Sequence, residues 1–176
     1  MAYYLQMDGV DDRIVLPSLT FTEIVMDVKV NSKASFERYW SLPLGAEYLQ
    51  VASGGINDQW SSGVNLVYWN GVAQTNLSLI IPLSTRGVVR SLLTQAKTAA
   101  ISIFANGTGN IAHGDLWNIK VYNGATVVAH YDMTLGNVQD QTGNGNHATL
   151  IGGTWIDESP VTPSTRRKNR FFGLIR

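Results

Sequence analysis

HYDMTLGNVQDQTGNGNHATLIGGTW, residues 130 to 155, opens as a strand and within a few residues stops being one. Upstream and into it, Val127, Ala129, Tyr131 and Met133 alternate with Val128, His130 and Asp132, the period of a half-buried strand. Gly136-Asn137 turns the chain. The run from Asp140 to Asn146 then holds three Asn/Asp and two Gly in seven residues, and His147 closes it. Such residues supply left-handed backbone and side chains that bond their own main chain, so neither helix nor strand continues. A second short strand reaches Leu150 and Ile151. The segment therefore reads as a rigid polar corner between two strands.

AHYDM followed by VQDQTGNGNHATLIGGTW resembles the opening signature of laminin G-like, concanavalin A-like jelly-roll modules. That signature is an aromatic strand, an Asp, a Ser/Thr-Gly-Asn-Gly-Asn loop and a strand of small residues. In the family a segment like L-x-F-D-G-V-D-D-Y-V follows. Here its counterpart stands at the other end of the chain, as Leu5-Gln6-Met7-Asp8-Gly9-Val10-Asp11-Asp12-Arg13-Ile14-Val15. A circular permutation gives this order if the first and last strands lie side by side, and domain termini are often close in space. The arrangement also resembles small proteins of bacterial viruses and prophages. The resemblance spans Ala2 to Asp157. It implies an all-β fold, a two-sheet antiparallel concanavalin A-like (laminin G-like) jelly-roll sandwich with a permuted signature, in a phage particle component.

A chain of 176 residues is long enough for one domain with a real core. The expected division is a jelly-roll domain over 1–158, then a Pro/Thr linker and a flexible basic-apolar tail over 159–176. No cysteine is present, which removes disulfides and thiolate chemistry together. No apolar run is long enough for a membrane span. Met1-Ala2-Tyr3-Tyr4 enters a strand with no signal-peptide pattern, so the expectation is synthesis in the host cytoplasm and residence in the virion. The zero net charge hides an asymmetry. Five of thirteen cations fall in the last eleven positions, and the other eight face all thirteen acids, a net charge of −5 over residues 1–165.

Along the chain, Tyr3, Leu5 and Met7 alternate with Tyr4 and Gln6. Ile14 to Leu16 reads as a strand ending at Pro17, and Phe21 to Val30 as the clearest half-buried strand. Its apolar face is Ile24, Met26, Val28 and Val30; Phe21, Glu23, Val25, Asp27 and Lys29 share the other. Strands are expected over Phe36 to Leu42, Tyr48 to Ala52, Asn65 to Trp69, Leu77 to Ile81 and Ile101 to Phe104. Over Arg86 to Ala100, Val88, Val89, Leu92, Leu93 and Ala96 could line a helix; a strand over Val88 to Leu93 and then a loop is expected instead, because the neighbours on both sides are strands. Leu116 to Tyr122 carries Trp117, Ile119 and Val121 on one face. Asn70-Gly71 and Asn123-Gly124 are hairpin signals. Many short strands punctuated by turn residues indicate a sandwich.

Four chemistries are open to such a chain. Glycoside hydrolysis needs two facing carboxylates. Glu23 and Asp27, the nearest pair, are separated by roughly 13 Å of strand, and no phosphate loop or nucleophile elbow is present, so a non-catalytic protein is expected. Calcium could be held by Asp8, Asp11 and Asp12 in one turn with Asp140, Asn144 and Asn146 in another, hard oxygen donors that the resemblance makes neighbours; equally, these side chains would cap and brace their turns. Carbohydrate could stack on rings beside amides, at Trp60, Tyr68, Trp69 and Asn70; Trp40 and Trp117 read as core. Lastly, Arg166, Arg167, Lys168, Arg170, Phe171 and Phe172 form a tail suited to docking on an acidic partner, whereas an acidic body disfavours nucleic acid. The expected partner is a host-surface glycan, through a lectin-like module. The alternative is a decoration protein docking on a phage structural protein by its sheet face or tail, and homo-oligomerisation is compatible with either.

Overall fold

The computed structural model describes residues 2–31, 38–42, 48–52, 55–59, 66–74, 82–105 and 111–159. Over these the protein is almost entirely antiparallel β-sheet, the all-β class that the turn-punctuated pattern implies. Twelve strands are present: β1 (Tyr3–Asp8), β2 (Arg13–Val30), β3 (Arg38–Ser41), β4 (Tyr48–Ala52), β5 (Gly55–Gln59), β6 (Leu66–Trp69), β7 (Val72–Gln74), β8 (Arg86–Ile103), β9 (His113–Asn123), β10 (Thr126–Asp132), β11 (Thr149–Ile151) and β12 (Thr154–Asp157). A 3-10 turn, Met133–Leu135, follows β10; Asp132 caps its start, and Gly136, at φ 69°, ends it. No helix among the described residues is long and apolar enough to cross a membrane.

Two eighteen-residue strands, β2 and β8, pair with each other along most of their length and carry the architecture. The second half of β2 pairs with β9 and the first half of β8 with β6; the opposite halves pair with β11 and β3. Each long strand thus serves two wings of the sheet. Buried side chains from both wings, including Leu5, Ile14, Ile24, Trp40, Leu49, Leu116 and Tyr131, fall in one core cluster. The wings therefore close on one another as the two layers of a sandwich.

The phase of β2 shows how one strand can do this. Ile14 and Leu16 are buried, then Leu19 and Phe21, then Ile24, Met26, Val28 and Val30. The pairing to β8 slips between Leu16 and Leu19 and again between Phe21 and Glu23. Each slip is a bulge that flips inside and outside and bends the strand. Pro17 does not end the strand as its sequence suggests; it sits in the first bulge, where a missing N–H is tolerated. The second bulge returns Phe21 to the core rather than to the face of Glu23. Nor does β8 give way to a loop after Leu93; it continues unbroken to Ile103.

A third bulge corrects the reading of β9. Asp27 faces Asn118 but Val28 faces Leu116, so Trp117 is the extra residue. Leu116, Ile119 and Val121 point into the core, and Trp117 lies outside the core cluster on the opposite face, still buried. Its ring stacks 5.0 Å from that of Tyr4 and beneath the Arg86 guanidinium at 4.1 Å, and its Nε1–H donates to Glu158 Oε1 at 2.8 Å. Trp40 is core as expected, fully buried with its Nε1–H on Ser91 Oγ.

The two ends of the described chain meet. β1 pairs antiparallel with β12 over Tyr3–Gln6 and Thr154–Asp157, and the Glu158 N–H donates to the Ala2 carbonyl. The side-by-side placement that the split signature requires is therefore present. The stretch expected as a strand over Leu77 to Ile81 lies outside the described residues, as does the tail from 160 onward.

Candidate functional site

The polar corner has a specific task. Since β2 occupies one side of β9 over residues 114–122, both β1 and β10 must share the other side, end to end. The far edge of β10 is then left with unpaired main-chain groups, which a sheet must cover. The loop covers it. The Asn144 and Asn146 side-chain amides both donate to the Val128 carbonyl, at 3.2 and 2.8 Å, and the Gln141 N–H donates to the His130 carbonyl. In return Asp140 Oδ1 accepts the His130 N–H.

Asp140 also ties the loop to itself, accepting the Thr142 N–H and hydroxyl and the Asn146 N–H. Burial alone would push this carboxyl up, but the Thr142, His130 and Asn146 bonds together hold it below its ordinary value. His147 Nδ1 accepts the Asp140 N–H, and the Tyr131 hydroxyl donates to the Asn146 carbonyl; burial pushes that phenol up. Gly143 and Gly145, at φ 84° and 75°, supply the left-handed corners. Asp140, Asn144 and Asn146 thus act here as a brace.

The second predicted cluster also braces its turn, and its carboxylates stand close together. Ligand atoms of Asp8, Asp11 and Asp12 lie within 4.8 Å of one another. Asp12 is buried, and its two oxygens accept the N–H groups of Asp8 and Gly153, while Asp8 Oδ1 accepts the Val10 N–H. Asp8 and Asp11 are exposed, so the donor chemistry suits a hard cation such as calcium at the surface of the turn.

The predicted aromatic cluster is divided by its strand. Trp60 lies outside the described residues. Tyr68 and Trp69 are consecutive in β6 and so face opposite ways. Trp69 packs partly buried against the core, above Gly87, where an added Cβ would run into its ring. Asn70 turns the hairpin with Gly71 at φ 48° and 81°, and its Oδ1 accepts the Val88 N–H. Among the described residues of this group, only Tyr68 reaches the outer face. There its ring lies 5.2 Å from the Arg90 guanidinium, and Arg90 makes a two-pronged bond to Glu23.

That outer face holds a concavity that the sequence reading did not identify. Cross-strand register sets His130, Lys120, Val25, Arg90 and Tyr68 in one row over β10, β9, β2, β8 and β6. Tyr122 and Glu23 lie in the row on one side, and Asn118, Asp27 and Val88 in the row on the other. Val25, Asp27, Val88, Asn118, Lys120 and Tyr122 line an open hollow of about 310 Å³. Glu23 and Asp27, the carboxylates weighed as catalytic, do share this face, but each is bound by an arginine, Arg90 and Arg86. Asn118 Nδ2 lies 3.0 Å from His130 Nε2, whose ring is made harder to protonate by burial and then by Lys120. The available signal was two outward-facing valines, Val25 and Val88, on a face otherwise polar or aromatic. Compared with protein-family models, curated proteins and solved structures, the chain matches none.

Proposed function

We propose that this protein is a non-catalytic carbohydrate-recognition module of the jelly-roll kind its split signature resembles, carried on a phage or prophage particle. The hollow on the outer face supports the reading. Val25, Val88 and the Tyr122 ring offer apolar surface of the sort a pyranose stacks on, while Asn118, Asp27 and Lys120 offer acceptors and donors for its hydroxyls. Its size is that of a small-ligand site, and its floor is paired strand, a rigid mount that loses little freedom on binding. The ring and the amide come from one strand and Asp27 from the next, so the set is fixed by register and not by a loop.

The test is titration of the purified protein with host cell-wall and capsular polysaccharide. Saturable binding that Tyr122→Ala and Asn118→Ala each weaken by about tenfold or more supports the reading, since a well-placed stacking or hydrogen-bonding group contributes on that scale. Co-sedimentation with phage capsids, with no binding to any polysaccharide, would replace it with capsid decoration.

A further inference from the structure

We propose that the saccharide this hollow takes is an acidic one, with the sugar carboxylate set against the ammonium of Lys120. The inference rests on the glycan reading and narrows it. Four cations stand on the outer face of this wing. Three are matched: Lys29 to Asp115 at 3.0 Å, Arg86 to Asp27 at 2.8 Å and Arg90 to Glu23 at 2.7 Å. Lys120, which lines the hollow, makes no hydrogen bond or salt bridge among the described residues.

The acids nearest in register are committed elsewhere. Both oxygens of Asp27 are held by Arg86 Nε and Nη2, and both oxygens of Glu23 by Arg90. Asp132, beyond Asn118 on β10, has its Oδ1 on the Thr134 N–H and hydroxyl at the start of the 3-10 turn and makes no salt bridge to Lys120. His130, directly across from Lys120, offers no negative charge. The ammonium is therefore a cation without a direct partner among the described residues, in a hollow whose other walls include two valines and a tyrosine.

Any ligand filling the hollow strips water from that ammonium. A neutral sugar returns only hydroxyl oxygens, whereas a carboxylate returns a charge-assisted bond, about twice as strong as a neutral one. The pairing favours acidic over neutral sugars by chemistry, with Tyr122 and Asn118 reading the ring in both cases.

The experiment uses the full chain and three pairs of oligosaccharides, bearing galacturonate, glucuronate or sialate, each beside its carboxyl-reduced counterpart. At least one acidic member is expected to bind about ten- to a hundredfold more tightly than its reduced form, with affinity falling as salt rises. Lys120→Met should remove that preference, so that each acidic member binds no more tightly than its reduced form, and Lys120→Arg should restore most of it. Equal binding of both members, or an unchanged preference in Lys120→Met, overturns the acidic inference and leaves glycan recognition standing. Binding of none of the six overturns both.

Discussion

The buried carboxylate of Asp12 accepts the backbone N–H of Gly153, 141 positions later, and with its other oxygen the N–H of Asp8. One side chain near the start of the chain thereby fastens the turn that leads into the last described strand. Gly152, at φ 68°, packs so closely on Asp12 that a Cβ there would strike the carboxylate. The Asp-Gly-Val-Asp-Asp turn and the Gly-Gly turn are halves of one lock.

Asp12→Ala should cost about 2–3 kcal/mol in urea denaturation, because two N–H groups lose a charged acceptor in a buried place. Asp11→Ala, at an exposed position, should stay within about 0.5 kcal/mol. The same melts with calcium and with chelator test the acidic turn. A calcium-dependent rise that Asp11→Ala removes would make the turn a metal site as well as a lock.

Trp69 and Tyr122 should separate cleanly. Trp69→Ala is expected to lower stability by about 3 kcal/mol or more, as for other packed aromatics, because the ring lies on Gly87 and the core. Gly87→Ala should destabilise by about 1–3 kcal/mol through overpacking against the same ring and the Asn70 amide. Tyr122→Ala should instead reduce saccharide binding with little change in the denaturation midpoint. Loss of binding in a well-folded Trp69→Ala protein, with Tyr122→Ala unaffected, would move the site back to the hairpin.

Acid should lower the stability of the protein in two stages. Burial, and then the charge on Lys120, lower the His130 pKa from 6.5, so the unfolded chain binds the proton more readily. Stability is therefore full above that value and falls as pH drops below it. Asp140 has a pKa lowered from 3.8, so its contribution is present above that value and is lost as pH falls through the lowered pKa. His130→Gln should flatten the first stage in urea titrations run at successive pH values. An unchanged first stage in that variant would place the proton elsewhere.

Joining the ends by a short linker and reopening the chain between Asn123 and Gly124 should leave a folded protein. β1 and β12 are already paired, and the β9–β10 turn is exposed, held from outside by the Thr22 hydroxyl on the Gly124 N–H. Circular dichroism and a cooperative melt check it. Aggregation of the reopened protein, with the parent soluble, would show that the hairpin is needed to start the fold.

Some of this was legible in the residues. Composition and turn chemistry gave an all-β chain, the alternation over Ile24 to Val30 gave the core face of β2, and the divided signature placed the two ends together. The first two are local patterns, enforced by local sterics and burial, whereas the pairing of the ends is long-range and was an expectation of the resemblance. The bulges were not legible: a bulge is one unmatched residue between two strands, so it exists only once a partner and register are chosen. That is why Phe21 moved into the core, Trp117 moved out, and the Val127/Val128 phase slipped against Tyr122 and Val121. The two Asn-Gly pairs make the same point. Asn70-Gly71 forms the whole two-residue loop between Trp69 and Val72, but Asn123 pairs with Thr126, so the second loop is Gly124 and Ala125. The hollow around Lys120 belongs to the same class. Its residues come from three strands spread over almost a hundred positions, and only cross-strand pairing, which the chain makes by folding, sets Tyr122, Lys120 and Asn118 beside Val25, Asp27 and Val88.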